Sequence, residues 1–206
     1  MKKILFIVNL DKFFISHRLP IAISLKDIGY EVHIASKFTN RENYLKNLGF
    51  FTHDLPIKRS SISLASNFLT FVKIFKLIFS LKPNLIHLIT IKPILFGGII
   101  SHFFKKISIV VSVSGLGFVF SDKGRFSKIR KNFIIFLYKI VFLNKKIRVI
   151  FQNQYDREKL INITQLKKEN TILTYGSGVN LKTFSVTSNK NDKTPIALFA
   201  GRLLIS

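Results

Sequence analysis

Three short stretches bring together residue types that bind ligands. The first runs Asn9-Leu-Asp-Lys-Phe-Phe-Ile-Ser-His-Arg-Leu-Pro. Ser16 is read as the N-cap of the helix that follows it. His17 and Arg18 then stand near the positive end of that helix, where anions are favoured. A phosphate or a sugar hydroxyl suits such a place, although capping and solvating a helix end would use the same residues. The second stretch, His87 to Gly98, puts Thr90 and Lys92 ahead of Pro93. Lys92 is a rare charge in an apolar run, so it is expected to project into a crevice and neutralise a phosphate, or else to snorkel to solvent. The third, Ser112-Val-Ser-Gly-Leu-Gly-Phe, offers Ser114, Gly115 and Gly117. Its glycines permit backbone shapes in which exposed amides cradle a ligand.

Other chemistries are poorly served. A lone Gly-x-Gly lacks the third glycine of a dinucleotide fingerprint. The first loop has no glycine, which argues against nicotinamide and flavin enzymes. There is no Gly-x-Ser-x-Gly elbow, no Walker loop and no His-Glu-x-x-His. With 10 acidic residues in the whole chain, paired carboxylates are scarce. His17, His33, His53, His87 and His102 show no metal-ligand spacing, so no metal is expected. His87, inside an apolar strand, reads as a core histidine with its polar atoms satisfied. Gly97-Gly98 reads as a close-packing device.

These stretches must be positioned by strands and helices in alternation. Strands are predicted over Lys3–Val8, Glu31–Ala35, Phe50–Leu55, Asn84–Ile89, Ser108–Val113, Arg148–Gln152 and Thr171–Tyr175. Between them, helices are predicted over Leu19–Asp27, Arg41–Leu48, Leu64–Leu81, Pro93 to about Lys105, Arg125–Leu143 and Gln154–Ile163. Continuous apolar strands alternating with helices give an α/β fold, a Rossmann-like, doubly wound parallel sheet of about seven strands. Ligands bind such sheets beyond the C-terminal ends of the strands. That is where all three stretches fall. Residues 1–184 form this domain, residues 185–194 read as a polar linker, and residues 195–206 read as the first strand of a second domain.

Composition narrows the partners. The chain has 206 residues, 48% of them hydrophobic, which suits a folded core. It has no cysteine, so disulfides are excluded and a reducing cytoplasm fits. The formal net charge of +23 favours phosphate-bearing partners. Enrichment in Lys, Ile, Phe and Asn together also suggests genome-wide compositional bias, so the charge alone decides nothing. No secretory signal or clean membrane span is read: Lys92, Pro93 and Gly97-Gly98 interrupt Leu85–Phe104. Asn132–Leu143 falls short of the roughly 20 residues a span needs. Basic residues flank the apolar Phe133–Leu143, a pattern suited to an anionic membrane surface or to a packed helix with a solvated basic end. No nucleic-acid module is readable.

In chain order, Phe14-Ile-Ser-His-Arg-Leu-Pro, Ile89-Thr-Ile-Lys-Pro-Ile-Leu-Phe-Gly-Gly, Gly115-Leu-Gly-Phe-Val-Phe, Phe151-Gln-Asn-Gln-Tyr-Asp-Arg, Gly176-Ser-Gly-Val-Asn-Leu-Lys-Thr-Phe and Phe199-Ala-Gly-Arg-Leu-Leu form a recognisable set. With it the chain resembles the N-terminal half of the GT-B-fold glycosyltransferases of family four, in the branch that builds bacterial surface polysaccharides. The resemblance implies transfer of a hexosyl sugar from a nucleotide-diphosphate sugar, with retention and with no cofactor. It implies a lipid-linked sugar acceptor, met from the cytoplasm at the inner face of the plasma membrane. His17, Arg18, Thr90, Lys92, Ser114, Gly115 and Gly117 would line the acceptor side. Gly201 and Arg202 would reach the donor diphosphate, for which a guanidinium is suited.

The chain departs from the family in three places. Asp11-Lys12-Phe13 stands where many relatives carry a glycine pair, and Ser114 where many carry a histidine. The sequence ends four residues after Arg202, ahead of the lysine and paired glutamates expected of the donor-binding half. Catalysis in this fold needs both halves to orient donor against acceptor, so an inactive fragment is expected. The competing expectation is an acceptor-binding or membrane-recruiting subunit that works with a separate donor-domain protein.

Overall fold

β1 (Lys3–Leu10) reads Lys-Ile-Leu-Phe-Ile-Val-Asn-Leu, and its residues 4 to 8 are buried on both faces. Only a strand flanked on both sides and covered on both faces buries such a run. The computed structural model describes residues 1–58, 63–116, 125–181, 183–185 and 197–198. Gly117, Gly201, Arg202 and nearly all of the expected linker and second-domain strand lie outside the described residues.

After β1 come α1 (Asp11–His17), α2 (Leu19–Asp27), β2 (Glu31–Lys37), α3 (Glu42–Asn47), β3 (Phe51–Asp54) and α4 (Leu64–Leu81). Then follow β4 (Leu85–Ile89), α5 (Ile91–Ser101), β5 (Ser108–Val113), α6 (Arg125–Phe142), β6 (Ile147–Phe151), α7 (Gln154–Ile163) and β7 (Thr171–Leu173). The seven strands form one sheet in the order β3-β2-β1-β4-β5-β6-β7, and every neighbouring pair is parallel. The chain winds outward from β1 to β3, crosses back through α4, and winds the other way from β4. The reversal lies between β1 and β4, paired from Ile4↔Leu85 to Ile7↔Leu88. A crevice opens at such a switch point.

Each face has its own apolar layer. Phe6, Val8, Val32 and Ile34 pack with Phe14 of α1, Ala22 of α2 and Leu45 of α3. Leu5, Ile7, Ile86, Leu88 and Val111 pack with Ile74 and Ile78 of α4, Ile94 of α5 and Tyr138 of α6. α5 lies close to both sheet and α6 because of its glycine pair. A Cβ at Gly97 would stand 2.3 Å from Leu88 Cδ2, and one at Gly98 2.5 Å from Val141 Cγ1.

Two elements differ from the sequence expectation. Asp11–His17 is a helix, not a loop. Ser16 is therefore not an N-cap: its hydroxyl donates back to Lys12 O (2.9 Å) and Phe13 O (3.2 Å) within α1. α5 begins at Ile91 and ends at Ser101, four residues before Lys105. A turn then follows, in which the amides of Phe103 and Phe104 bond to Ile100 O and Ser101 O.

Candidate functional site

Arg18 sits at the junction of α1 and α2, where it is the C-cap of one and the N-cap of the other. That position turns its side chain inward, and the residue is only 5% exposed. Nη1 donates to His17 O (2.9 Å) and to Ser177 Oγ (3.2 Å), while Nε is buried without a partner. No carboxylate among the described residues pairs with it. Burial pushes the guanidinium pKa below its ordinary value. A buried cation lacking a counter-ion is costly unless something anionic completes it.

His87 of β4 lies near this charge. Its Nε2 shares a 2.7 Å hydrogen bond with Ser112 Oγ of β5, and its ring packs 5.1 Å from that of Phe6. Burial first, and the Arg18 charge second, push its pKa down to about 3. The imidazole is thus neutral at physiological pH and forms a satisfied floor. Ser177 ties the floor to β6, since Gln152 Nε2 donates to its hydroxyl at 2.7 Å.

The C-terminal ends of β1 and β5 carry two further incomplete groups. Asn9 Oδ1, near the end of β1, and Ser114 Oγ, just past β5, are buried without hydrogen-bond partners. Native buried polar atoms are mostly bonded, so orphans gathered at one edge mark a place for a ligand. Thr90, just past β4, holds φ 73° and ψ 159°, a region almost reserved for glycine. It opens the eleven-residue α5 with no side-chain cap hydrogen bond. Gly115 has φ 147° and no atom within 4 Å of where a Cβ would be, so its backbone shape, not crowding, calls for glycine.

The remaining sequence-predicted residues are placed differently. His17 ends α1 and folds onto its own helix, its ring stacked at 4.1 Å on Phe13 and Nδ1 2.6 Å from Ser16 Oγ. Lys92 is not free in a crevice. Its Nζ donates to Lys58 O (2.6 Å) and Asn67 Oδ1 (2.9 Å), tying α5 to the β3–α4 connection and to the first turn of α4. Asp11, noted in the sequence only for replacing a glycine, is fully buried. It accepts from the amides of Lys12 and Thr39 at 2.8 Å, from Arg41 N at 3.3 Å and from the Thr39 hydroxyl. It thereby fixes the loop beside an open cavity of about 350 Å³, lined by Lys37, Phe38, Thr39, Asn40, Glu42, Asn43 and Asp54. Gln152 and Ser177 were missed as site residues. Gln152 had a signal, since it follows β6 as Ser114 follows β5, whereas Ser177 reaches the site only through tertiary folding.

The arrangement can hold an anion or a polyhydroxyl group against Arg18. Among the described residues it supplies no activated nucleophile, because Asp11 is locked in hydrogen bonds and His87 is buried and neutral. Residues 3–153 match the model of the family described as glycosyl transferase 4-like. No curated protein sequence matches the chain. Among solved structures, a glycosyltransferase from Rickettsia africae ESF-5 is similar at 14% identity and TM-score 0.63, over 91% of this chain and 46% of that one. Anabaena Alr3699/HepE, in complex with UDP and glucose, is similar at 14% identity and TM-score 0.61, over 91% and 47%. A UDP-N-acetylglucosamine 2-epimerase from Rickettsia bellii is similar at 19% identity and TM-score 0.56, over 86% and 45%. The chain thus spans about half the length of these structures, and at such identities the likeness shows the fold alone.

Proposed function

Since this chain belongs to the glycosyl transferase 4-like family, we propose that it is the acceptor-side domain of a glycosyltransferase using a nucleotide-diphosphate sugar. A second, donor-binding domain, in the same polypeptide or in a partner protein, supplies the opposite wall of the cleft. The acceptor is a lipid-linked sugar of surface-polysaccharide synthesis, met at the inner face of the plasma membrane. The hexosyl group is transferred with retention.

The observation that carries this reading is the buried guanidinium of Arg18 with Nε unpartnered, together with the incomplete side chains of Asn9 and Ser114 at the C-terminal ends of β1 and β5, beside the sheet's switch point. A phosphate-bearing sugar supplies what these groups lack, oxygen acceptors for Arg18 and Ser114 and hydroxyl donors for Asn9. UDP in Alr3699/HepE, as its description states, agrees with a nucleotide-sugar donor for this fold.

The test is calorimetric titration of the purified chain with a short-chain lipid-diphosphate sugar. Binding is expected, and Arg18→Gln should weaken it about 10- to 100-fold, the worth of a charged hydrogen bond. No binding by the unaltered chain, or equal binding by the variant, overturns the reading. Sugar transfer should appear only when a donor-binding domain is added. Turnover by the 206-residue chain alone would place the donor site within these residues.

A further inference from the structure

The basic residues of this chain are evenly spread, but its acids are not, so its net positive charge is segregated. Between Asp54 and Asp156 there are 17 lysines and arginines and a single acid, Asp122. The other 105 residues carry 16 basic and nine acidic residues. Uniform compositional bias does not produce that division. The basic segment includes α4, α5 and α6, which lie side by side on one face of the sheet with α5 in the middle.

The outward sides of α4 and α6 are apolar as well as basic. On α4, Thr70, Ile74 and Ile78 face the core, while Phe68 and Phe79 are 70% and 61% exposed beside exposed Leu64, Leu69, Lys73 and Lys76. On α6, Ile129, Phe133 and Phe136 are exposed with Lys128 and Lys139, and Leu143, just past its end, is exposed as well. Phe103, 71% exposed in the turn after α5, stands with exposed Lys105 and Lys106 and packs edge-on against Phe75 of α4. Such bulk on a water-facing surface marks an interaction site. α4 is long and apolar enough to cross a bilayer. Crossing would pull Ile74 and Ile78 out of the core, so the helix lies flat.

We propose that the outer face of α4 and α6, bridged by Phe103, docks on an anionic lipid bilayer. The phenylalanines sink to the headgroup–acyl boundary, and Lys73, Lys76, Lys128 and Lys139 reach the lipid phosphates with their stems along the apolar surface. The sequence expectation placed membrane contact on Arg125–Leu143 alone, whereas the structure supplies a second helix parallel in character. Aliphatic Leu64, Leu69, Ile129 and Leu143 serve a bilayer and have no use on a nucleic acid. This docking stands whether or not the site transfers sugar.

The chain has no tryptophan, so Phe79→Trp is a clean reporter. Its emission should shift to the blue with phosphatidylglycerol vesicles, less so with phosphatidylcholine alone, and should be quenched by lipids brominated near the headgroup. In vesicle flotation, Phe68→Ser and Phe133→Ser should each weaken binding about tenfold. Lys73→Glu with Lys76→Glu should weaken it at least as much and reduce its sensitivity to salt. All four substituted positions are exposed, so unchanged circular dichroism is expected and makes the comparison valid. Three outcomes would overturn the docking: no shift on lipid, a shift that follows protein concentration instead and so reports a second copy, or binding to RNA that displaces vesicles without regard to Phe68 and Phe133.

Discussion

His87 lends itself to a quantitative experiment because its surroundings set one sign. The unfolded chain takes up a proton on this imidazole near its ordinary value of 6.5, and the folded chain refuses it until about 3. As pH falls through that window the unfolded state gains a proton first, so folding loses stability and regains none on the way down. Each unit of difference is worth about 1.36 kcal/mol. Between about pH 6.5 and pH 4.5 His87 alone should therefore remove about 2 kcal/mol. His87→Gln keeps a hydrogen-bonding partner for Ser112 and cannot be charged. Urea unfolding of both proteins at steps from about pH 7.5 to 4.5 gives the comparison. His33 and His53, also lowered chiefly by burial, and every carboxylate contribute equally to both curves and cancel in the difference. The unaltered protein should lose about 2–3 kcal/mol more than the variant across that range. Parallel curves would show that His87 is reached by water in the folded state, and the closed floor beneath Arg18 would have to be abandoned.

Three further outcomes are expected. Gly98→Ala should lower stability by about 1–3 kcal/mol and the melting temperature by a few degrees, because stiff Val141 cannot clear the new methyl by rotating. Adding Val141→Ala should recover much of the loss, a coupling that a double-mutant cycle reads directly. Asp11→Ala should cost about 2–3 kcal/mol in urea unfolding, since it strands the amides of Thr39, Lys12 and Arg41. Burial pushes this carboxyl up, but those bonds together hold it below 3.8. Its stabilisation is thus present above 3.8 and is lost as pH falls through the lower folded value. Thr90→Gly should raise the melting temperature, relieving about 1 kcal/mol of backbone strain net of the entropy glycine adds.

The strands were legible because buried parallel strands are apolar throughout: at the sheet's centre β5 matches its predicted range and β4 starts one residue later than expected. α1 was not legible. Its seven residues bury only Asp11 and Phe14, too short a run to show a helical period. Ser16 beside a proline-led helix imitates an N-cap that the fold never uses. Arg18, Thr90, Ser114 and Gly115 could be located from the sequence because strand ends define the functional edge of a doubly wound sheet. What each side chain does there was not readable. Lys92 binds Lys58 O and Asn67 Oδ1 across 34 and 25 residues of chain, and such long-range partners leave no local trace. The phenylalanines of α4 repeat at helical spacing, but the stripe is wide enough to be half buried and half outward, a division that only the packed structure shows.

The lateral ends of the sheet have a consequence for a chain so rich in aliphatic and aromatic residues. Its outermost strands, β3 with four residues and β7 with three, are the shortest of the seven. A foreign strand arriving at either flank finds only a few amides and carbonyls to zip onto, too few to repay its own ordering. The long strands able to template self-assembly are all enclosed between neighbours. Lengthening either stub by a few β-branched residues would be a direct route to turning this protein into a fibre-former.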